Sequence, residues 1–443
     1  MFRHLFAAQV IALLGTGLAT VALGLLAYDL AGMSAGAVLG TLLAIKMAAN
    51  VLIAPIVTAF ADRLPRQAFL VSMDAVRAGV ALALPFVGAV WQVFALVIVL
   101  QVASAAFTPT FQAVIPTVLP EERDYTRGLS LSRLAYDLEG LLSPILAAAL
   151  LTVVGFSWLF VGTAVGFAAS AALVLTIALP TEARAAHSGG AYARTIRGTW
   201  IYLATPRLRA QLGLNLAAAA AGSMVLVNTV VLVRGDLGFG DTAVAVALGA
   251  FGGGSILAAL LLPRVLDRTG DRSVMIAAAA SLSGLLIVLG VVYASASTAR
   301  WAVLLLGWAL LGGAYSLVLT PVGRLIRRSA NPADYPVLFA AQFALSHAGW
   351  LLTYLLAGLL GDTIGAAPAM FVLGVIAAGG WAYGTRTWSR HDSADLEHIH
   401  HDLDHDHPHL TDAHPTHRGW RHAHHYVIDD SHRRWPADDT ALR

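Results

Sequence analysis

Twelve apolar stretches of about 20 to 27 residues, separated by short polar connections, run along most of the chain. They fall near 5–27, 36–60, 68–90, 92–118, 128–152, 157–179, 208–233, 243–265, 274–293, 301–323, 336–360 and 366–385. A helix of about 20 apolar residues crosses a bilayer, whereas a membrane strand needs only ~10 residues of alternating polarity. The pattern therefore predicts an all-α membrane protein of twelve transmembrane helices. The fifth stretch departs from the rule. It reads GLSLSRLAYDLEGLLSPILAAALLTV over residues 128–153 and carries Arg133, Asp137 and Glu139. A carboxylate near the middle of a membrane helix costs about 2.5–3.5 kcal/mol on insertion scales, so such groups are predicted to face a cavity or a partner.

The polar connections are not equivalent. Of 23 basic residues before position 391, 18 lie in the terminal segment and in alternate loops, and only Arg234 and Arg300 lie in the others. The positive-inside rule then puts both termini in the cytoplasm. The overall composition, 58% hydrophobic and 12% charged, separates the chain from soluble domains, which carry about 25% charged residues. Cysteine is absent, which excludes disulfides and thiolate metal sites. The first apolar run lacks the short core and cleavage site of a signal peptide, so no cleavable leader is expected. No phosphate-binding loop, HExxH pair or nucleophile–base arrangement is present, so an enzyme is not expected.

The chain repeats itself. At an offset of 210, Trp91 falls on Trp301, Thr110 on Thr320, Asp124 and Tyr125 on Asp334 and Tyr335, and Gly155 on Gly365. At an offset of 205, Asp62 and Arg63 fall on Asp267 and Arg268. Two six-span halves follow: residues 1–180 and 208–387, joined by a basic linker at 181–207 and followed by a tail at 388–443. Arginines on one side and apolar residues on the other make the second part of the linker a short amphipathic helix, predicted to lie on the inner leaflet.

The short loops with Asp62, Arg63 and Arg66 after the second span, and Asp267, Arg268 and Arg272 after the eighth, resemble the inner-loop signature of the major facilitator superfamily. Residues 106–150 resemble its exporter branch, which includes siderophore and metal efflux proteins. The loop departs from the common pattern at Ala59 and Pro65, where glycine is frequent, and span five has Gly140 and Pro144 without a trailing glycine pair. The resemblance covers about residues 5–385. It implies a conformational latch in which the loop charges pair with helix ends in one state and release in the other. Asp74 and Arg77, three apart and so on one face of span three, are expected partners of that latch.

Within the spans, Asp137 and His347 fall on each other at the 210 offset. Imidazole and carboxylate together suit borderline divalent ions, and histidine can also accept protons near neutral pH. Asp137 and Glu139 are about 200° apart on a helix, so both cannot face one cavity, and Asp137 is favoured for it by its repeat mate. Arg133, one turn before Asp137, could instead neutralise it. Lys46, the chain's single lysine, is predicted to couple charge to transport or to partner one of these acids. Asn50 and Asn228 complete the candidate pathway.

After Arg390 the apolar pattern stops, and thirteen of sixteen histidines follow. They cluster as His398, His400, His401; His405, His407, His409; His414, His417; and His422, His424, His425, with acids interleaved. Such spacing lets a chain wrap nickel, cobalt, zinc or copper(II), whereas calcium and magnesium want oxygen ligands. The tail is expected to be disordered. A twelve-span exporter of this kind with such a tail resembles the nickel-resistance efflux proteins, some of which handle cobalt. The resemblance implies proton-driven export across a bacterial inner membrane, with the tail collecting or buffering metal at the inner face. Expected partners are the bilayer, a metal ion as cargo, and protons as counter-ion. No nucleic acid and no tightly bound cofactor is expected, and the chain is expected to act as a monomer. An exporter of a siderophore, drug or other organic solute is the alternative, favoured by a wide aromatic-lined cavity.

Overall fold

The computed structural model describes residues 2–31, 41–42, 45–53, 56, 65–177, 191–295 and 299–390, and in the tail 395–400, 408–410, 412–417, 419–429, 431–432 and 434–436. Eleven of the twelve expected spans are helices of at least 18 residues: α1 (Phe2–Ala31), α2 (Arg66–Ala83), α3 (Val90–Val118), α4 (Glu122–Leu151), α5 (Ser157–Leu175), α7 (Pro206–Val230), α8 (Asp241–Leu266), α9 (Asp271–Ser295), α10 (Arg300–Leu319), α12 (Tyr335–Ile364) and α13 (Ala366–Thr387). The second span is described in part and includes a π-helical turn at Ala49–Ile53. Two shorter helices, α6 (Ala191–Ala204) and α11 (Val322–Arg327), lie between spans. Ten of the described helices are long and apolar enough to cross a membrane.

The repeat seen in sequence reappears as packing. In the first half α1 packs on α4 and α5, α2 on α5, and α2 on α3. In the second half α7 packs on α12 and α13, α9 on α13, and α9 on α10. Each pairing has its counterpart one repeat later. Between halves, α4 meets α8 and α12 meets the Ala49–Ile53 turn, again a matched pair. Close approach of α7 and α13 depends on glycine: a Cβ on Gly213 would sit 2.4 Å from the Gly380 carbonyl oxygen. Side chains left exposed are apolar, as lipid requires. On α12, Leu352, Leu355 and Leu359 are all more than half exposed.

The linker segment contains helix α6, which packs on protein as well as exposing an apolar edge. Ile201 and Tyr202 are fully buried, and the Tyr202 hydroxyl hydrogen-bonds Gln342 on α12. Arg197 lies 3.5 Å from Asp334. Ile196, Trp200 and Leu203, on another face, stay exposed. The tail, expected to be disordered, contains a small antiparallel sheet among its described residues. Strands β1 (Asp395–His400), β2 (His414–Thr416) and β3 (Gly419–His425) are ordered β1-β3-β2. Alternation of histidine with other residues gives these segments the period of two that a strand needs. Beyond β3, Ile428 and Trp435 pack against the core of the second half, and Arg207 stacks on the Trp435 ring. The tail is thus seated on one face of the bundle, called here the tail side.

Candidate functional site

Polar groups inside the bundle fall into two sets, because α4 turns its neighbouring acids in opposite directions. Asp137 accepts from Arg133 at 2.6 Å and from the Ser255 hydroxyl of α8 at 2.5 Å. Arg133 also stacks over Tyr315 at 4.6 Å, beside an aromatic group formed by Phe251, Trp350 and Tyr354. This network crosses from one half to the other. Glu139 points elsewhere, against Gly17 of α1, and feels the charge of Lys46. His347 feels the same lysine, and its Nδ1 lies 2.7 Å from the Phe343 carbonyl oxygen.

Asp137 and His347, paired by the repeat, are therefore committed to different neighbours. Glu139, the acid that the repeat disfavoured, shares Lys46 with His347. Asn50 is buried. Asn228 ties α7 to α12 by donating to the Ala357 carbonyl oxygen at 3.0 Å, which is a packing role.

The latch residues also separate. Asp62 and Arg63 lie outside the described residues. Asp74 and Arg77, expected to serve the loop, form a buried ion pair with each other. Ser170 donates to Asp74 at 2.8 Å, and the Arg77 guanidinium stacks on Phe107 and Phe167. Arg272 donates to the Trp388 carbonyl oxygen, while Asp267 and Arg268 are exposed.

A different group, which the loop motif did not indicate, joins the halves on the tail side. Arg324 of α11 reaches Glu122 and Thr126 of α4 and donates to buried Asp271 at 2.8 Å. Arg328 adds a second contact to Asp271 at 3.1 Å, and Arg327 donates to the Pro120 carbonyl oxygen. Glu122, Arg324, Arg327 and Arg328 line a small cavity of 190 Å³ with Tyr125 and the tail residue His425.

The tail holds the third assembly. Among the described residues it is the one group of metal-type side chains whose ligand atoms converge: His398, His400, His409, His422, His424 and His432, all within 4.8 Å of one another. Strand register explains four of them. His398 sits opposite His422 and Leu396 opposite His424, so alternate positions of β1 and β3 present imidazoles to one face. The turn Pro408–Leu410 adds His409, and the segment after β3 adds His432.

Burial, and then the neighbouring imidazoles, push His398 down to about 3 and His400 and His409 down to about 4. They are held neutral, the form that binds metal. Burial alone would raise Asp429, but hydrogen bonds from His432 and from backbone amides hold it below its usual value.

Of the predicted tail ligands, His398, His400, His409, His422 and His424 are brought together. His414 and His417 are exposed away from the cluster, His425 lines the cavity beside Arg324, and His401, His405 and His407 lie outside the described residues. His432 was missed because it stands alone in sequence. The Asp429-x-x-His432 spacing was its only signal.

A model of the Major Facilitator Superfamily matches residues 5–227 and again 212–422. The chain belongs to the major facilitator superfamily. It is a multi-pass membrane protein of that family. Solved structures of similar fold include the human organic anion transporter MFSD10, at TM-score 0.73 and 13% identity over 86% of this chain and 98% of that one. A bacterial homologue of the iron transporter ferroportin, in an outward-facing state, matches at 0.70 and 15% over 87% and 98%. The proton:xylose symporter XylE matches at 0.65 and 13% over 86% and 94%. At such identities the likeness is one of fold. No curated protein matches the sequence. The matched contacts of α4 with α8 and of α12 with the second span join the two halves.

Proposed function

We propose that this major facilitator is a secondary active exporter of a divalent transition metal, nickel first and cobalt next, working by alternating access with protons as counter-ion. The observation that carries the reading is the convergence of six imidazoles in the tail. A nitrogen-rich cluster of this kind suits nickel, cobalt and zinc and not calcium or magnesium. The tail side is cytoplasmic in this reading, since basic residues concentrate there, and the membrane is the bacterial inner membrane. The fold likeness to a homologue of an iron transporter is compatible with metal cargo. Glu139, Lys46 and His347 are the groups proposed to carry cargo or protons, because they join spans two, five and eleven around one charge. Asp137 serves the rocking interface instead.

The test is accumulation of nickel, cobalt, zinc and iron in cells expressing the protein. Expression is expected to lower nickel or cobalt content, and Glu139→Gln and His347→Ala to abolish that effect. Unchanged accumulation of all four metals would remove the reading.

A second reading has its own support. Phe251, Tyr315, Trp350 and Tyr354 gather beside Arg133, an arrangement that would receive an organic anion. Resistance of expressing cells to organic anions, with no change in metal content, would favour it.

A further inference from the structure

We propose that His398, His400, His409, His422, His424 and His432 hold one divalent transition-metal ion in a closed, six-coordinate, all-nitrogen shell. This goes beyond the tail as a loose collector. It shares with the export reading the premise that the tail meets metal, but it requires no transport.

Proton positions make the first argument. The His398 Nδ1 lies 3.0 Å from the Leu396 carbonyl oxygen, the His424 Nδ1 lies 2.8 Å from the His425 carbonyl oxygen, and the His432 Nδ1 lies 2.9 Å from the Asp429 carboxylate. Those oxygens only accept, so each Nδ1 carries the hydrogen and each Nε2 presents a bare lone pair. Yet the Nε2 atoms of His398 and His432 lie 3.0 Å apart. Two lone pairs at that distance repel unless a cation lies between them. The Nε2 of His422, in a side chain more than nine-tenths buried, has no hydrogen-bond partner. A proton could join two of these nitrogens; it cannot satisfy six.

Edge lengths make the second. Metal–imidazole bonds of about 2.0–2.1 Å give adjacent nitrogens about 2.8–3.0 Å apart in an octahedron and about 3.3–3.4 Å apart in a tetrahedron. The nitrogen pairs here are 3.0 Å for His398–His400 and His398–His432, 3.1 Å for His409–His432, and 3.2 Å for His409–His424. The two pairs at 3.0 Å match the octahedron, and those at 3.1 and 3.2 Å lie between it and the tetrahedron.

Six-fold coordination disfavours zinc, which settles at four, and all-nitrogen ligands disfavour magnesium, so affinity rises from manganese through iron and cobalt to nickel. Asp429 orients His432 as an outer-shell carboxylate does for a metal-bound imidazole. With every position filled by protein, the ion is resident rather than handed on. It also ties β1, β3, the 408–410 turn and the 432 segment together, and β3 ends at His425 in the cavity beside Arg324.

The test uses the full chain in detergent micelles, stripped with chelator and titrated with Co²⁺ alone. A centrosymmetric six-coordinate shell gives weak visible absorption, whereas a tetrahedral one lacks an inversion centre and absorbs strongly. The tightest site is expected to take one Co²⁺ per chain with weak bands, and to exchange it for Ni²⁺. His432→Ala should weaken that site at least tenfold, and His414→Ala, which removes a tail histidine outside the cluster, should leave it unchanged. Intense bands, several equivalent ions, or equal effects of the two variants would overturn the proposal. Loss of binding would remove the premise of both readings; one tight Co²⁺ without metal export would remove only the export reading.

Discussion

Arg324, from the second half, bonds Glu122 of the first while its Nε stays 2.8 Å from buried Asp271. One guanidinium thus links the halves and neutralises an acid that is 2% exposed. With Arg327 on the Pro120 carbonyl oxygen, it closes the tail side of the bundle.

Arg324→Ala leaves Asp271 with Arg328 and removes the link to Glu122. The Asp271 contact lies within the second half, so the part that falls on the closed state alone is the pair with the exposed Glu122 carboxylate, worth up to about 1 kcal/mol, and the hydrogen bond to Thr126. A loss of about 1.4 kcal/mol from that state shifts the population tenfold. The chain has no cysteine, so Ser130→Cys on α4 gives a clean reporter. Its labelling from the tail side by an impermeant maleimide is expected to speed up about tenfold in the Arg324→Ala background.

Asp74 and Arg77 sit inside the first half, with Arg77 stacked on two phenylalanines. Asp74→Asn leaves a buried guanidinium without its counter-charge and should destabilise by about 3–5 kcal/mol. Asp74→Leu with Arg77→Met should recover most of the loss. Thermal melts in one detergent check this, and a double variant as unstable as the single would refute it.

Asp137 pairs with Arg133 and reaches Ser255 across the interface between the halves. Asp137→Asn is expected to lower both melting temperature and transport. Arg133→Met with Asp137→Leu should restore melting but not transport, because the link to Ser255 must break and re-form as the halves rock. Full transport in that double variant would make the pair a packing device only.

Truncation after Arg390 removes the histidine cluster and His425 but none of the spans. Transport is expected to persist at reduced efficiency, measured as metal retained by cells at low external metal. Complete loss would put the tail in the pathway itself.

The spans and their duplication were legible because lipid imposes one rule on every segment, about 20 apolar residues in helical form. The paired contacts of α1 with α5 and α7 with α13 follow from that duplication. The site was legible only in part. Equivalent positions guarantee equal depth, not equal direction, and Asp137 turned to Arg133 and Ser255 while Glu139 and His347 found Lys46. The ion-pair network of Glu122, Asp271 and Arg324 carries no motif, since its members lie about 50 to 200 residues apart.

Sequence by itself determined that this is a duplicated helical membrane protein with a histidine-rich tail, because burial in lipid and imidazole chemistry depend on residue type and local spacing. Tertiary structure alone decided which histidines converge. His432 entered the cluster and His414 did not, since strand register and chain reversal set where a lone pair points, and no local pattern encodes that.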